Sequence, residues 1–543
     1  MNEPTANQKK AISSTGNLLI VAGAGAGKTR TLVQRCVSFL LDETTPGSLD
    51  EILMVTFTEA ASAEMRQRIR HALEEKLHRA PENSHLAEQL ALLDSARICT
   101  LHSFCYRLIR DSFYDLGLDP QINVLPDEQG QLLAREVLDA LMKEIYDGEI
   151  AMAAPVQRLI SEQGRGWDKP IRDLVKRVHA YQQTLPDPEG WFADQLARFE
   201  PSEPGLWERW FREELNRWKN WWLPVLRSQD AENVVAHTCA RLLAGLPAEP
   251  DRNAAAAAFT EILASETLWP AGKKGKFKEP IKDIFDDANF LNSLCLDREG
   301  IDPLTQDWAW AKPQILALLQ LAKAFSERFG KAKRESASLD FHDLEQFALD
   351  LLWDRKARKP TPAAESWQQQ LRLVLVDEYQ DINEAQDTIL KALARPADKA
   401  NRFLVGDVKQ SIYRFRLANP RIFLDYEERW KAAPFSQVIP LADNFRSHEA
   451  ILNFVNPLFA ALMKKEIGGV DYDDAARLGF GNRDGRSHLT VAKDPVLRVE
   501  LHLRTTGQTD EPANAGLDAL SSTEKEARLI GLRLLEQIGR AHV

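Results

Sequence analysis

Short, mostly apolar runs recur along the chain: LLIV at 18–21, ILMV at 52–55, RICT at 97–100, LVLV at 373–376 and FLV at 403–405. A strand buried on both faces of a parallel sheet has such a continuous pattern, whereas a strand with one wet face alternates. Behind the first two runs the period changes from strand to helix. Leu32, Val33, Cys36, Val37 and Leu40 share one helix face, and Met65, Ile69 and Leu73 share another. Strand followed by helix, repeated, predicts an α/β fold around a largely parallel sheet.

From about residue 118 to 336 the short runs vanish and the pattern is helical. Sheet-forming runs lie on both sides, so this block reads as a large helical domain inserted into the first. Trp207, Trp210, Trp218, Trp221 and Trp222 recur at helical spacing, which predicts core packing. The alanine stretch at 254–258 favours helix. GKKGKFK at 272–278 is a basic loop, facing either solvent or a nucleic-acid backbone. Further on, residues 496–503 alternate and predict another strand. Residues 521–538 read as an amphipathic helix. Ser521 and Glu524 form its capping box, with Ala527, Ile530, Leu534 and Ile538 on one face.

Composition narrows the class. With 543 residues, 44% hydrophobic and 27% charged, the chain is long enough for several globular domains and is not disordered. No apolar run approaches transmembrane length, and the polar start MNEPTANQKK predicts no secretory signal, so a cytoplasmic location is expected. The five cysteines lie far apart without a C-x-x-C pair, which argues against a zinc ribbon or a disulfide scaffold. A formal charge of −11 repels nucleic acid overall, so binding it requires a local basic surface.

Candidate chemistry sits at the ends of the apolar runs. The first run passes into AGAGAGKT: Ala22, Gly23, Ala24, Gly25, Ala26, Gly27, Lys28 and Thr29. Small residues between strand and helix let backbone N–H groups wrap a phosphate at the helix N-terminus. Lys28 then reaches the β- and γ-phosphates and Thr29 holds Mg²⁺, which makes this a P-loop for ATP. Upstream, Gln8 either reads the adenine edge through its amide or simply faces solvent. The run at 373–376 ends in Asp377, a candidate Mg²⁺ ligand, and Glu378, a candidate base for the attacking water. The run at 403–405 leads to Gln410, a candidate γ-phosphate sensor. It continues to Tyr413, Phe415 and Arg416, which suit stacked bases and phosphates. In NFRS at 444–447, Phe445 can stack on adenine and Arg446 can bind the γ-phosphate. Thr56, Phe57, Thr58, His102 and Ser103, at the ends of the second and third runs, are candidate DNA contacts, because ligands of open α/β sheets collect at strand carboxyl ends. For Phe57 and Phe104, the core is an equal alternative.

Taken in order, these segments resemble the motifs of superfamily 1A DNA helicases of the UvrD/Rep type. AGAGAGKT is similar to motif I, VTFTEAASAEM to motif Ia and TLHSF to motif Ib; VDEYQD is similar to motif II, VGDVKQSIYRFR to motif III and NFRS to motif IV. LDFHDL at 339–344 is similar to the segment ahead of motif II. The wording GDVKQSIYRFRLANP and the long helical block most resemble the AddA and RecB helicase–nuclease branch; UvrD and Rep typically carry Gly where Leu417 stands, and Ala26 replaces a usual Ser. The resemblance implies a P-loop NTPase with a RecA-like motor domain (1A) at 1–117 and 337–437. It implies a helical insertion (1B) at 118–336 and the start of a second RecA-like domain (2A) at 438–543. It also implies Mg-ATP hydrolysis coupled to 3′-to-5′ movement on single-stranded DNA, action at duplex DNA ends in break repair and recombination, and an AddB-like partner subunit. Motifs V and VI, nuclease carboxylates and iron–sulfur cysteines are not found, and residues 538–543 match read-through of sequencing-adapter DNA, so a longer natural protein is expected. The alternatives are a UvrD/Rep-type repair helicase without nuclease, a non-motor nucleotide switch and an inactive fragment.

Overall fold

Six strands form one sheet: β1 (Asn17–Ala22), β2 (Ile52–Thr56), β3 (Arg97–Thr100), β4 (Leu373–Val376), β5 (Arg402–Gly406) and β6 (Ser436–Leu441). Their order is β6-β1-β5-β4-β2-β3, and every pairing is parallel. In this computed structural model, residues 3–247, 250–295, 302–465, 469–495, 499–502 and 521–541 are described.

The apolar runs became strands because both sheet faces are covered. Leu19, Leu53, Val55, Val374 and Leu404 point into one core, and Leu18, Ile20, Met54, Leu375 and Val405 into the other. β6 has no counterpart among the runs read from sequence. SQVIPL contains Pro440 and buries only Ile439 and Leu441, a pattern an edge strand tolerates and a central one does not. The domain boundary expected at 438 falls inside this strand. The compact unit built on the sheet comprises Met1–Arg446 and Met463–Gly481.

Between β3 and β4 the described residues are largely helical and build two further cores. One joins helices Asp127–Asp147, Ala153–Gln163 and Lys169–Gln183 to the long helix Pro303–Glu335. The other joins Gly205–Arg227, Val234–Gly245, Arg252–Ser265 and Asp283–Ser293. Trp222 is buried, and its indole N–H and that of Trp218 both donate to Asp287 Oδ2, at 3.1 and 2.8 Å. Trp207 meets Trp308 edge-on at 5.1 Å, whereas Trp210 and Trp221 are exposed and depart from the expected core packing. The basic loop is largely the short helix Lys274–Lys278, folded over buried Phe277. Lys273 pairs with Glu232, Lys276 with Asp230 and Lys278 with Glu266, so three of its four lysines have acidic partners.

Ser447–Leu462 and Asn482–Val543 form a second unit. Its helix Ser522–Ala541 opens with the predicted capping box: Glu524 N–H donates to Ser521 Oγ at 3.3 Å, and Ser521 N–H to Glu524 Oε2 at 2.8 Å. Ile530, Leu534 and Ile538 on this helix are exposed. Of the strand expected over 496–503, residues 496–498 and 503 lie outside the described residues, and 499–502 carry no strand. No helix among the described residues is long and apolar enough to cross a membrane.

Candidate nucleotide and DNA site

Parallel strands put all six carboxyl ends along one edge of the sheet, and the candidate residues cluster there. After β1 the chain turns through Gly25 at φ +72° and Gly27 at φ +80°, a region that glycine enters at little cost. A Cβ on Gly25 would stand 2.7 Å from Asn444 Nδ2. Helix Lys28–Leu40 starts on Gly27 with no side-chain cap, which leaves its first N–H groups for an anion. Gln8 is buried: its Nε2 donates to the Ala26 carbonyl at 3.1 Å and its Oε1 accepts from Thr5 N–H at 3.0 Å. The amide therefore braces the phosphate loop, and reading adenine would require releasing that brace.

Lys28 Nζ lies 2.9 and 2.7 Å from the two carboxylate oxygens of Glu378 and 3.3 Å from Gln410 Oε1. Glu378 has left-handed backbone, φ 51° and ψ 45°, a strained conformation of the kind that surrounding contacts must hold in place. Its N–H donates to Asp377 Oδ1 at 3.0 Å, and Gln380 Nε2 donates to its Oε2 at 2.8 Å. Burial, reinforced by the Glu378 charge, pushes the Asp377 carboxyl up to about 6. Gln410 Nε2 donates to Asp407 Oδ2 at 2.7 Å, and Asp407 N–H to Gln380 Oε1 at 3.0 Å. Gly406 permits this approach, since a Cβ there would come within 2.5 Å of Gln380 Oε1. Lys28, Glu378, Gln380, Asp407 and Gln410 thus form one hydrogen-bonded network.

Beyond β6, Asn444 Nδ2 donates to the Ala24 carbonyl at 2.7 Å and Phe445 N–H to the Gly25 carbonyl at 2.8 Å. These bonds bring Phe445 and exposed Arg446 to the rim of the phosphate loop. Thr29 lies in the first turn of helix Lys28–Leu40. The Thr29 hydroxyl and the Asp377 carboxylate are hard oxygen donors of the kind Mg²⁺ takes.

β2 and β3 end in a second site, a cleft of about 520 Å³ lined by Phe57, Thr58, His102, Ser103, Arg107 and Phe341. Phe57 and Tyr413 have ring centroids 4.7 Å apart, Tyr413 and Phe415 5.9 Å, and the Arg416 guanidinium lies over both rings of the latter pair. The three predicted aromatics therefore form one row. Phe415 is 75% exposed, whereas Phe104 is core, edge-on to Trp367. Thr56 is buried beneath the cleft, its hydroxyl donating to the Thr58 carbonyl at 3.1 Å. Ser103 and Thr100 hydroxyls donate to Glu59 Oε1 at 2.6 and 2.8 Å, and these bonds, Ser103's foremost, hold the Glu59 carboxyl below its usual range. Sequence reasoning passed over Arg107, Arg110 and Phe341, which also line the cleft. The signal was there for the arginines: 103, 107 and 110 fall on one face of helix Leu101–Asp111.

A phosphate loop, a carboxylate pair and a glutamine joined by hydrogen bonds on adjacent parallel strands define a P-loop NTPase of RecA-like α/β fold. Residues 4–431 match the UvrD/REP helicase N-terminal domain, and the chain belongs to this family of ATP-dependent DNA helicases. It is 34% identical to the AddA subunit of the ATP-dependent helicase/nuclease of Bacillus licheniformis, over 97% of this chain and 45% of that protein. It is 36% identical to the protein of that name from Bacillus velezensis, over 88% and 41%, and 32% identical to that from Oceanobacillus iheyensis, over 98% and 45%. The chain thus spans less than half the length of these relatives.

Proposed function

We propose that this chain is the motor part of an AddA-like helicase–nuclease subunit, hydrolysing Mg-ATP to move 3′ to 5′ along single-stranded DNA. Its expected substrates are DNA ends under break repair and recombination in the cytoplasm, and its expected partner is a second, AddB-like subunit. In this reading, residues 1–117 and 337–437 form motor domain 1A, 118–336 the helical insertion 1B, and 438–543 the opening of motor domain 2A. The observation that carries it is the shared edge of the sheet, where the Lys28–Glu378–Gln410 network adjoins the row Phe57–Tyr413–Phe415.

Chemically, Lys28 exchanges Glu378 for the β- and γ-phosphates as nucleotide enters, which frees the carboxylate to accept a proton from the attacking water. Thr29 and Asp377 would hold Mg²⁺, which, when bound, neutralises phosphate charge. Phe445 stacks on adenine, while Gln410 and Arg446 sense the γ-phosphate. Exposed aromatics and Arg416 take bases and backbone. The test is ATP hydrolysis by the purified full chain with and without oligo(dT). Turnover should rise with DNA, and Lys28→Ala should abolish it while leaving the melting temperature unchanged. Nucleotide binding with no stimulation by DNA would instead favour a non-motor switch or an inactive fragment.

A further inference from the structure

Outside the residues assigned so far, a buried carboxylate adjoins the DNA cleft. Glu345, on helix Phe341–Leu352, has a side chain only 1% exposed. Its Oε1 receives His102 Nε2 at 2.9 Å and Gln386 Nε2 at 2.6 Å, and its Oε2 receives Asn383 Nδ2 at 3.0 Å. His102 lines the DNA cleft. Asn383 and Gln386 form the capping box of helix Glu384–Ala392, directly after the segment in which Gln380 donates to Glu378. That segment also meets the aromatic loop, because the Ile382 carbonyl accepts Asn419 N–H at 2.8 Å.

Such a group is costly. Burial pushes its carboxyl up, yet the hydrogen bond from His102 and the neighbouring imidazoles outweigh this and hold it well below the usual range. The same helix is also packed through Leu344, Ala348 and Leu349 in the core shared with Phe104, Cys105 and Ile389. A buried ionic cluster can often be replaced as a whole by apolar groups without loss of stability, whereas removing one member strands its partners. What an apolar side chain could not do is receive His102 of the cleft and the Asn383 and Gln386 amides of the following helix cap at once.

We propose that Glu345 is a positioning residue that couples occupancy of the DNA cleft to the catalytic carboxylate of the ATP site. The inference rests on the DNA-stimulated ATPase proposed above. DNA entering the cleft displaces His102; Glu345 passes the shift to Asn383 and Gln386, and the 379–383 segment passes it to Glu378.

The experiment compares wild-type full chain with Glu345→Gln and Asn383→Ser, since serine also caps helices but lacks the Nδ2 donor. Basal ATPase, oligo(dT) affinity, stimulation at saturating oligo(dT) and melting temperature are measured for each. Both variants should keep basal turnover and DNA affinity but lose stimulation by about tenfold, a typical strength of coupling between sites. The double variant should be no worse than either single one. Wild-type stimulation in either variant, additive losses, or a parallel fall in DNA affinity would overturn the proposal. If Glu345→Gln fails to fold, Asn383→Ser decides. Wild-type protein that ignores DNA would point to a switch or an inactive fragment and remove the ground of the inference, a result distinct from stimulation that survives in the variants.

Discussion

Glu378→Gln separates the two jobs that the geometry gives to this side chain. The amide keeps the shape of the carboxylate but cannot accept the proton of the attacking water. Losing a positioned general base costs about 10²–10⁴ in rate, or about 3–5 kcal/mol of barrier at 1.4 kcal/mol per tenfold. Binding should move the other way. Lys28 must leave Glu378 to reach the phosphates, and their pair, 2.7 Å long with side chains 12% and 34% exposed, is neither fully wet nor fully buried. After solvent screening, such a pair is worth about 1 kcal/mol or less. Its loss should therefore tighten nucleotide affinity by up to about fivefold. Fluorescent-nucleotide titration reports the affinity, and phosphate release reports the turnover. Wild-type turnover in the variant would show that Glu378 is not the base. Slow turnover with clearly weaker binding would refute the exchange of Lys28 between carboxylate and phosphate.

Two further predictions probe the cleft and the helical block. Phe415→Ala should weaken oligo(dT) binding by about 1–3 kcal/mol, the usual worth of one base–aromatic stack, without lowering the melting temperature, because the ring is 75% exposed. Unchanged affinity with a lower melting temperature would assign the ring to the core. His179 is wedged against Phe325 and Phe329 with Nδ1 2.8 Å from Ser326 Oγ, and burial, helped by Lys333, pushes its pKa down to about 3. The folded protein thus holds it neutral while the unfolded chain protonates near 6.5, so its stability contribution is complete above that pH and lost as pH falls. At about 1.4 kcal/mol per unit, denaturant unfolding from pH 7 to 5 should cost wild type about 2 kcal/mol more than His179→Leu; equal losses would refute the shift.

Five of the six strands were legible because burial on both faces demands continuous apolar runs. β6 was not, because an edge strand carries Pro440 and buries two residues. The site was legible as chemistry, since a phosphate loop and a strand-end carboxylate pair need particular residues at particular spacing. What stayed hidden was tertiary pairing. The basic loop at 272–278, open in sequence between solvent and a nucleic-acid backbone, gives no sign of its acidic partners Glu232, Asp230 and Glu266, up to dozens of residues away. Gln8 carries no mark that its amide is spent on Thr5 and Ala26. Leu417 adopts φ +63°, backbone that glycine enters at less cost, which fits the glycine expected there from the resemblance.

Strand order supplies the remaining step. In β6-β1-β5-β4-β2-β3, the nucleotide residues issue from four adjacent strands and the cleft residues from the two beyond. A close-packed parallel sheet is a poor conveyor of movement between its ends, so coupling falls to the loops along its carboxyl edge. The loop after β5 touches both halves: Gln410 accepts from Lys28, and Tyr413, three residues on, meets Phe57 across the tip of β4. Two non-glycine residues with left-handed backbone, Glu378 and Leu417, lie in the loops that follow β4 and β5. Strain of this kind persists where the surroundings over-determine it and relaxes when they change. On the proposed function, the exchange of Lys28 from Glu378 to phosphate is such a change, and it removes a restraint from Gln410 and Glu378 together. Nucleotide binding would therefore change the partners of the β5 loop close to the point where it carries the aromatic row.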